Sequence, residues 1–206
     1  MELRAESLPQ PQVKTVREAW QIFVDVLNGP VHERALYVYT AVVLAHWVEH
    51  IVQAYQIFVL AWPRPEAGGV LGLWLPWLVQ TELLHWGYAF FMLFGLILLR
   101  PGFAGLSRTF WNISLAIQIW HFIEHTLLQG QAVVGLNLFG AQVPTSVAQL
   151  WVPRPELHLI YNALVFIPMV LAMYFHLYPP KSEAPVACTC SRRSPHHNKA
   201  KAKQAA

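Results

Sequence analysis

Two five-residue stretches carry the clearest chemistry in this chain. His46-Trp47-Val48-Glu49-His50 and His121-Phe122-Ile123-Glu124-His125 share the pattern H-x-x-E-H, and each lies within a long apolar run. On a helix, positions i, i+3 and i+4 share a face, so each copy turns two imidazoles and a carboxylate the same way. Such groups on an apolar helix are costly unless they pair, bind a metal or face a wet cavity. Glu82 and His85 add an i, i+3 pair, and His158 adds a sixth imidazole. Tyr88 and Tyr161 follow His85 and His158 at the same H-x-x-Y spacing.

The expected site is therefore metal-binding. Its ligand candidates are His46, Glu49, His50, Glu82, His85, His121, Glu124, His125 and His158, with Glu156 as a further carboxylate at the rim. Glu49 and Glu124 have an alternative role, because a ligating imidazole commonly gives its other N–H to a carboxylate. Tyr88 and Tyr161 stand as tentative proton or radical donors beside the metals. A hydrogen-bonded polar core without metal is the plainer reading of the same residues.

The elements that must position these residues read as membrane helices. Of 206 residues, 55% are hydrophobic and only 12% charged, and mean hydropathy is +0.37. That is well above an ordinary soluble domain. Four segments are long enough to cross about 30 Å of hydrocarbon: 36–61, 71–99, 110–128 and 158–177. Pro76 is expected to be tolerated near the start of the second, and Pro168 to kink the fourth. An amphipathic surface helix precedes them, with Val13, Val16, Trp20, Phe23 and Leu27 on one face, a Thr15/Glu18 capping box, and Gly29-Pro30 at its end. The N-terminus has no apolar signal-peptide core, so the first span is expected to direct insertion.

The two halves look alike. Each has H-x-x-E-H on its first span and H-x-x-Y on its second, and Pro-Arg-Pro-Glu occurs at 63–66 and 153–156. The fold expected is an all-α integral membrane protein, a four-helix bundle built from a tandem repeat of two-helix units. Residues 1–35 form the N-terminal segment, 36–178 the bundle and 179–206 a disordered basic tail. Lys and Arg concentrate before the first span, in the second connector and in the tail, which puts both termini in the cytoplasm. The net charge of +3 comes mainly from that tail and speaks for topology, not for nucleic-acid binding. The expected location is the plasma membrane, and the expected partners are its bilayer, a lipid-soluble small molecule and further subunits of a larger membrane complex.

Histidine with carboxylate and no thiolate suits iron, copper, zinc or manganese. Glu-x-x-His on neighbouring helices is similar in residue type to the di-iron carboxylate site of ferritin-like bundles, although the motif order differs. H-x-x-E-H also matches the inverted zinc motif of a peptidase family, where it occurs once and on a soluble helix. The expected cofactor is two transition-metal ions, with iron slightly ahead of copper, serving a non-haem oxidoreductase. The alternatives are a zinc hydrolase with Glu49 or Glu124 as base, a metal permease, and a b-haem carrier with His50/His125 or His85/His158 as axial pairs. In the tail, Cys188 and Cys190 with His196 and His197 form a candidate soft-metal group, weighed against simple disorder. His32 and His176 are assigned no role.

Overall fold

The computed structural model describes residues 15–186, 188 and 190–192. Readings that fall on residues 1–14, or on His196 and His197, lie outside it. Among the described residues the chain is all-helical, with no strand. In order these are α1 (Val16–Asn28), α2 (His32–Phe58), α3 (Gly69–Trp74), α4 (Pro76–Val79), α5 (Glu82–Leu99), α6 (Gly105–Val134) and α7 (Arg154–Leu177).

Three stretches are long and apolar enough to cross a membrane: His32–Phe58, Glu82–Gly102 and Arg154–Leu177. The helix where a further span is expected, α6, does not reach that apolarity. The reason lies in which of its residues face inward. Ser107, Ser114, Gln118, His121, Glu124, His125 and Gln131 are all buried, while Ile113, Ile119, Trp120 and Ile123 are exposed. Most polar residues of α6 thus point at its neighbours, with Trp111 and Leu128, while its isoleucines at 113, 119 and 123 point away.

The second span is expected as one run over 71–99, and the structure corrects this. The chain breaks at Leu75, ahead of Pro76, and again before Glu82, giving α3, α4 and α5. Proline lacks the N–H for the helical ladder and disfavours helical backbone in the residue before it; Leu75 has φ −134° and ψ 61°. Thr81 then starts α5 afresh, its hydroxyl accepting from the Leu84 N–H at 3.3 Å. At Pro168 α7 runs on as one helix. Near that proline, the Val165 carbonyl accepts from Ser114 Oγ at 2.9 Å.

The capping box forms at the head of α1. Glu18 N donates to Thr15 Oγ1 and Thr15 N to Glu18 Oε2, at 3.2 and 3.0 Å. At the other end of α1, Asn28 donates to the Leu98 carbonyl and accepts from the Gly102 N–H, at 2.8 and 2.9 Å. That pair of bonds fastens α1 to the end of α5.

The apolar core fills one half of the bundle. It consists of Leu36, Tyr39 and Val43 from α2, Met92, Leu96 and Leu99 from α5, Phe103 and Trp111, and Val165, Met169 and Ala172 from α7. The polar groups within it donate to main-chain carbonyls of adjacent helices: Tyr39 to Met92, Trp111 to Leu96, and Gln118 to Ala89, at 2.9, 2.8 and 3.0 Å. Each bond removes a buried donor's desolvation penalty and ties two helices together.

Gly95 allows α5 to approach α2, because a Cβ there would overlap the Tyr39 ring. Gly95→Ala is expected to displace that ring and its bond to Met92, lowering stability by about 1–3 kcal/mol. Thermal unfolding of the variant beside the parent checks this.

Candidate metal centre

The six histidines anticipated from the sequence converge in the half of the bundle opposite the N-terminal end of α2. His46 and His50 come from α2, His85 from α5, His121 and His125 from α6, and His158 from α7. His158 sits among the rest, with ring centroids 5.5 Å from His50, 5.7 Å from His85, 6.0 Å from His121 and 5.1 Å from His125.

Within the cluster are two tight pairs of one geometry. His46 Nε2 and His50 Nε2 are 2.9 Å apart, and His121 Nε2 and His125 Nε2 are also 2.9 Å apart. The i, i+4 spacing produces this by bringing the ring tips together over one turn. His85 and His158 differ from the pairs but match each other. His85 Nδ1 lies 2.9 Å from the Thr81 carbonyl and His158 Nδ1 2.8 Å from the Arg154 carbonyl, each four residues back. A ring whose Nδ1–H is held by a carbonyl keeps its Nε2 as a free acceptor or ligand. For His158 that Nε2 is buried and has no protein partner.

The carboxylates behave differently from the histidines. Glu49 Oε2 accepts from the Leu71 N–H at 3.0 Å, in the first turn of α3. Glu124 accepts from the Ala148 N–H at 2.8 Å and from Ser146 Oγ at 3.3 Å. Glu82 forms a two-pronged ion pair with Arg154, and Glu156 pairs with Arg64. All four carboxylates thus hold connectors or neighbouring helix starts, and Glu124 also meets the Tyr161 hydroxyl; their hydrogen-bond partners are main-chain N–H groups, hydroxyls and arginines. The orienting role expected for Glu49 and Glu124 falls instead to the two main-chain carbonyls and to Gln53, whose Oε1 lies 3.3 Å from His50 Nδ1.

Two glutamines, not anticipated as part of the site, complete these supports. Gln56 brackets Gly69, accepting from its N–H at 2.9 Å and donating to its carbonyl at 3.2 Å. Gln131 accepts from the Leu138 and Thr145 N–H groups and donates to the Thr145 carbonyl, at 2.9, 3.2 and 3.0 Å. Each stands two helical turns beyond the glutamate of its motif, and that shared spacing was the available sequence signal. Gly69 is needed at its position because φ is +71° and a Cβ would overlap the Glu49 carboxylate.

The tyrosines lie against the first histidine of each pair. Tyr88 stacks on His46 at 3.5 Å between centroids, and its hydroxyl is buried without a partner. Tyr161 stands edge-on to His121 at 4.8 Å, and its hydroxyl accepts from Trp120 Nε1 at 2.7 Å.

A cavity of about 590 Å³ opens beside the cluster, between α2, α5 and the connector joining them. His46, His50, His85 and His158 line one side, and Val42, Leu71, Val79 and Leu84 supply apolar wall. The corresponding space beside Glu124, His125 and Tyr161 is only about 10 Å³. Access is therefore one-sided.

A separate group lies at the far end of the bundle. Among the described residues, His176, Cys188 and Cys190 are the only three ligating side chains with donor atoms all within 4.8 Å of one another. The segment expected to be a loose tail here folds back on α7. Arg192 N donates to the Leu177 carbonyl at 2.9 Å, and the Glu183 carboxylate accepts from Leu106 N at the head of α6. The Cys190 thiol donates to Cys188 Sγ, which pulls the Cys188 pKa down and pushes that of Cys190 up.

Comparison with family models, curated proteins and solved structures returns no match.

Because Glu49 and Glu124 each satisfy a main-chain N–H, Glu49→Ala and Glu124→Ala are expected to cost about 1–3 kcal/mol each. The Gln variants keep an acceptor and should retain most of that stability. Thermal unfolding of the four variants checks the assignment.

Proposed function

We propose that this protein is a membrane-embedded metalloprotein whose six imidazoles hold two metal ions, and that it oxidises a lipid-soluble substrate. The observation that carries the reading is the pair of 2.9 Å Nε2–Nε2 separations. Two metal–nitrogen bonds of about 2.0–2.1 Å at right angles put their nitrogens about 2.9 Å apart. Each i, i+4 pair thus has the spacing of adjacent ligands on one ion. His85 and His158, with Nδ1 tied to a carbonyl, offer Nε2 as the further donors.

Membrane insertion is supported by the inside-out distribution of polarity. Helices α2, α5, α6 and α7 all expose apolar side chains, including Val48 and Ile51, Phe90 and Phe94, Ile119 and Ile123, Ile160 and Ile167. Their histidines, serines and glutamines face inward. In this reading α6 is the third of four spans, its average apolarity lowered only by residues the lipid does not meet. The contacts that recur in each half support a duplicated two-helix unit with its axis along the membrane normal. Both termini are then cytoplasmic by the positive charges flanking the spans.

With Glu82 and Glu156 paired to arginines, and Glu49 and Glu124 each bonded to a main-chain N–H, the donor set is dominated by neutral imidazole. That moves copper ahead of iron, since hard carboxylate ligands would favour iron more strongly. When bound, the ions would supply one-electron steps between the substrate and O₂. The chain's own contributions are orientation and access. The Thr81 and Arg154 carbonyls fix two ring tautomers, Tyr88 stacks on His46 with its hydroxyl available, and the cavity admits an apolar molecule from one side.

The competing readings draw less support. A hydrolytic zinc site needs a free carboxylate base; Glu124 is held by the Ala148 N–H and the Ser146 hydroxyl, and Glu49, at the cavity wall, is tied through Oε2 to the Leu71 N–H. One haem on two axial histidines would leave four of the six imidazoles, and at least one of the two 2.9 Å pairs, without a role.

Metal analysis with a visible spectrum of detergent-purified protein tests the proposal. About two equivalents of copper or iron are expected, lost in the His50→Ala/His125→Ala variant. One colourless zinc would turn the reading to hydrolysis, and a Soret band to electron transfer. A metal-free protein with a normally folded variant would leave a hydrogen-bonded polar core.

A further inference from the structure

We propose a second metal site, for a thiophilic closed-shell cation (Zn(II) or Cu(I)), formed by His176, Cys188 and Cys190 where the tail folds back on α7. It shares no residue with the six-histidine cluster. His176 lies eighteen residues along α7 from His158, roughly 27 Å along the axis at 1.5 Å per residue.

The donors come from two separate segments that folding brings together. His176 Nε2 is 2.9 Å from Cys190 Sγ, and Cys190 Sγ is 2.7 Å from Cys188 Sγ. Two thiolates and an imidazole are a soft donor set that discriminates against hard cations and favours Zn(II) or Cu(I). On an ion with bonds of about 2.3 Å the two sulfurs would stand about 3.8 Å apart, so they must part by about 1 Å. Both cysteines are half-buried.

A second observation points to the same place. His32, at the head of α2, is fully buried, and neither ring nitrogen has a hydrogen bond of good geometry, the Leu27 backbone being its nearest polar neighbour. Its ring lies edge-on to His176 at 5.1 Å, and Cys188 is among its electrostatic neighbours. An imidazole buried without a well-formed hydrogen bond is costly, and a nearby cation offers it a ligand position after a small rotation. With His32 the set becomes two sulfurs and two nitrogens, the composition of a closed tetrahedral site. Such an ion would clamp the tail to the ends of α2 and α7, and it fits a structural role better than a catalytic one.

The test uses Co(II) as the optical probe on the reduced, chelator-stripped full-length protein. One equivalent should give an intense thiolate-to-cobalt charge-transfer absorption. That band should vanish in Cys188→Ser/Cys190→Ser and persist in His50→Ala/His125→Ala, which separates this site from the proposed di-metal centre. Stoichiometric Zn(II) or Cu(I) should bleach it, and whichever ion does so at the lower concentration is the better fit. The bound ion should also slow tryptic cleavage after Arg192. Absence of the band in the parent protein, or an unchanged band in the double serine variant, would overturn the proposal.

Discussion

Tyr39, Trp111, Ser114 and Gln118 each donate a hydrogen bond to a main-chain carbonyl of another helix, and those four bonds tie α2 to α5, α5 to α6 and α6 to α7 in the apolar half. The constraint behind them is general. Side chains that point outward from this bundle are apolar, so a buried donor has only protein to bond to, and leaving it unpaired costs about 1–3 kcal/mol. Once these donors are placed, the helix rotations follow. Those rotations carry His46, His50, His121 and His125 to the interior and Ile119 and Ile123 to the outside.

The same constraint explains how the connectors are built. The loop after α2 contains α3, whose first-turn N–H groups have no ladder partners. Glu49 takes the Leu71 N–H and Gln56 takes that of Gly69. After α6 the arrangement recurs, with Glu124 on Ala148 and Gln131 on Leu138 and Thr145. The Glu82–Arg154 pair then joins the starts of α5 and α7. The histidines therefore stand on helices fixed from above by connectors and from below by the apolar core. That rigidity is what a set of preorganised ligands requires.

The two halves share these contacts but not their accessibility. Beside the first pair the connector leaves a cavity of about 590 Å³, while beside the second the equivalent space is about 10 Å³. A duplicated unit can in this way supply two similar ligand sets and a single entrance.

Periodicity alone determined which residues could meet. At about 100° per residue, His at i and His at i+4 stand about 40° apart, so the two imidazole pairs were legible in the letters H-x-x-E-H. The glutamate at i+3 lies about 60° to the other side of the first histidine, and about 100° from the second. Whether it turned to the metal side or to the neighbouring connector depended on where α3 and Ala148 came to rest. The sequence likewise showed four apolar segments, but the break of the second at Leu75–Pro76 arose from backbone geometry that an apolar average does not register. Cys188 and Cys190 invited pairing with His196 and His197, their neighbours in sequence. Their partner in the fold is His176, across a reversal of the chain, because the return to the Leu177 carbonyl is a tertiary contact that no local pattern encodes.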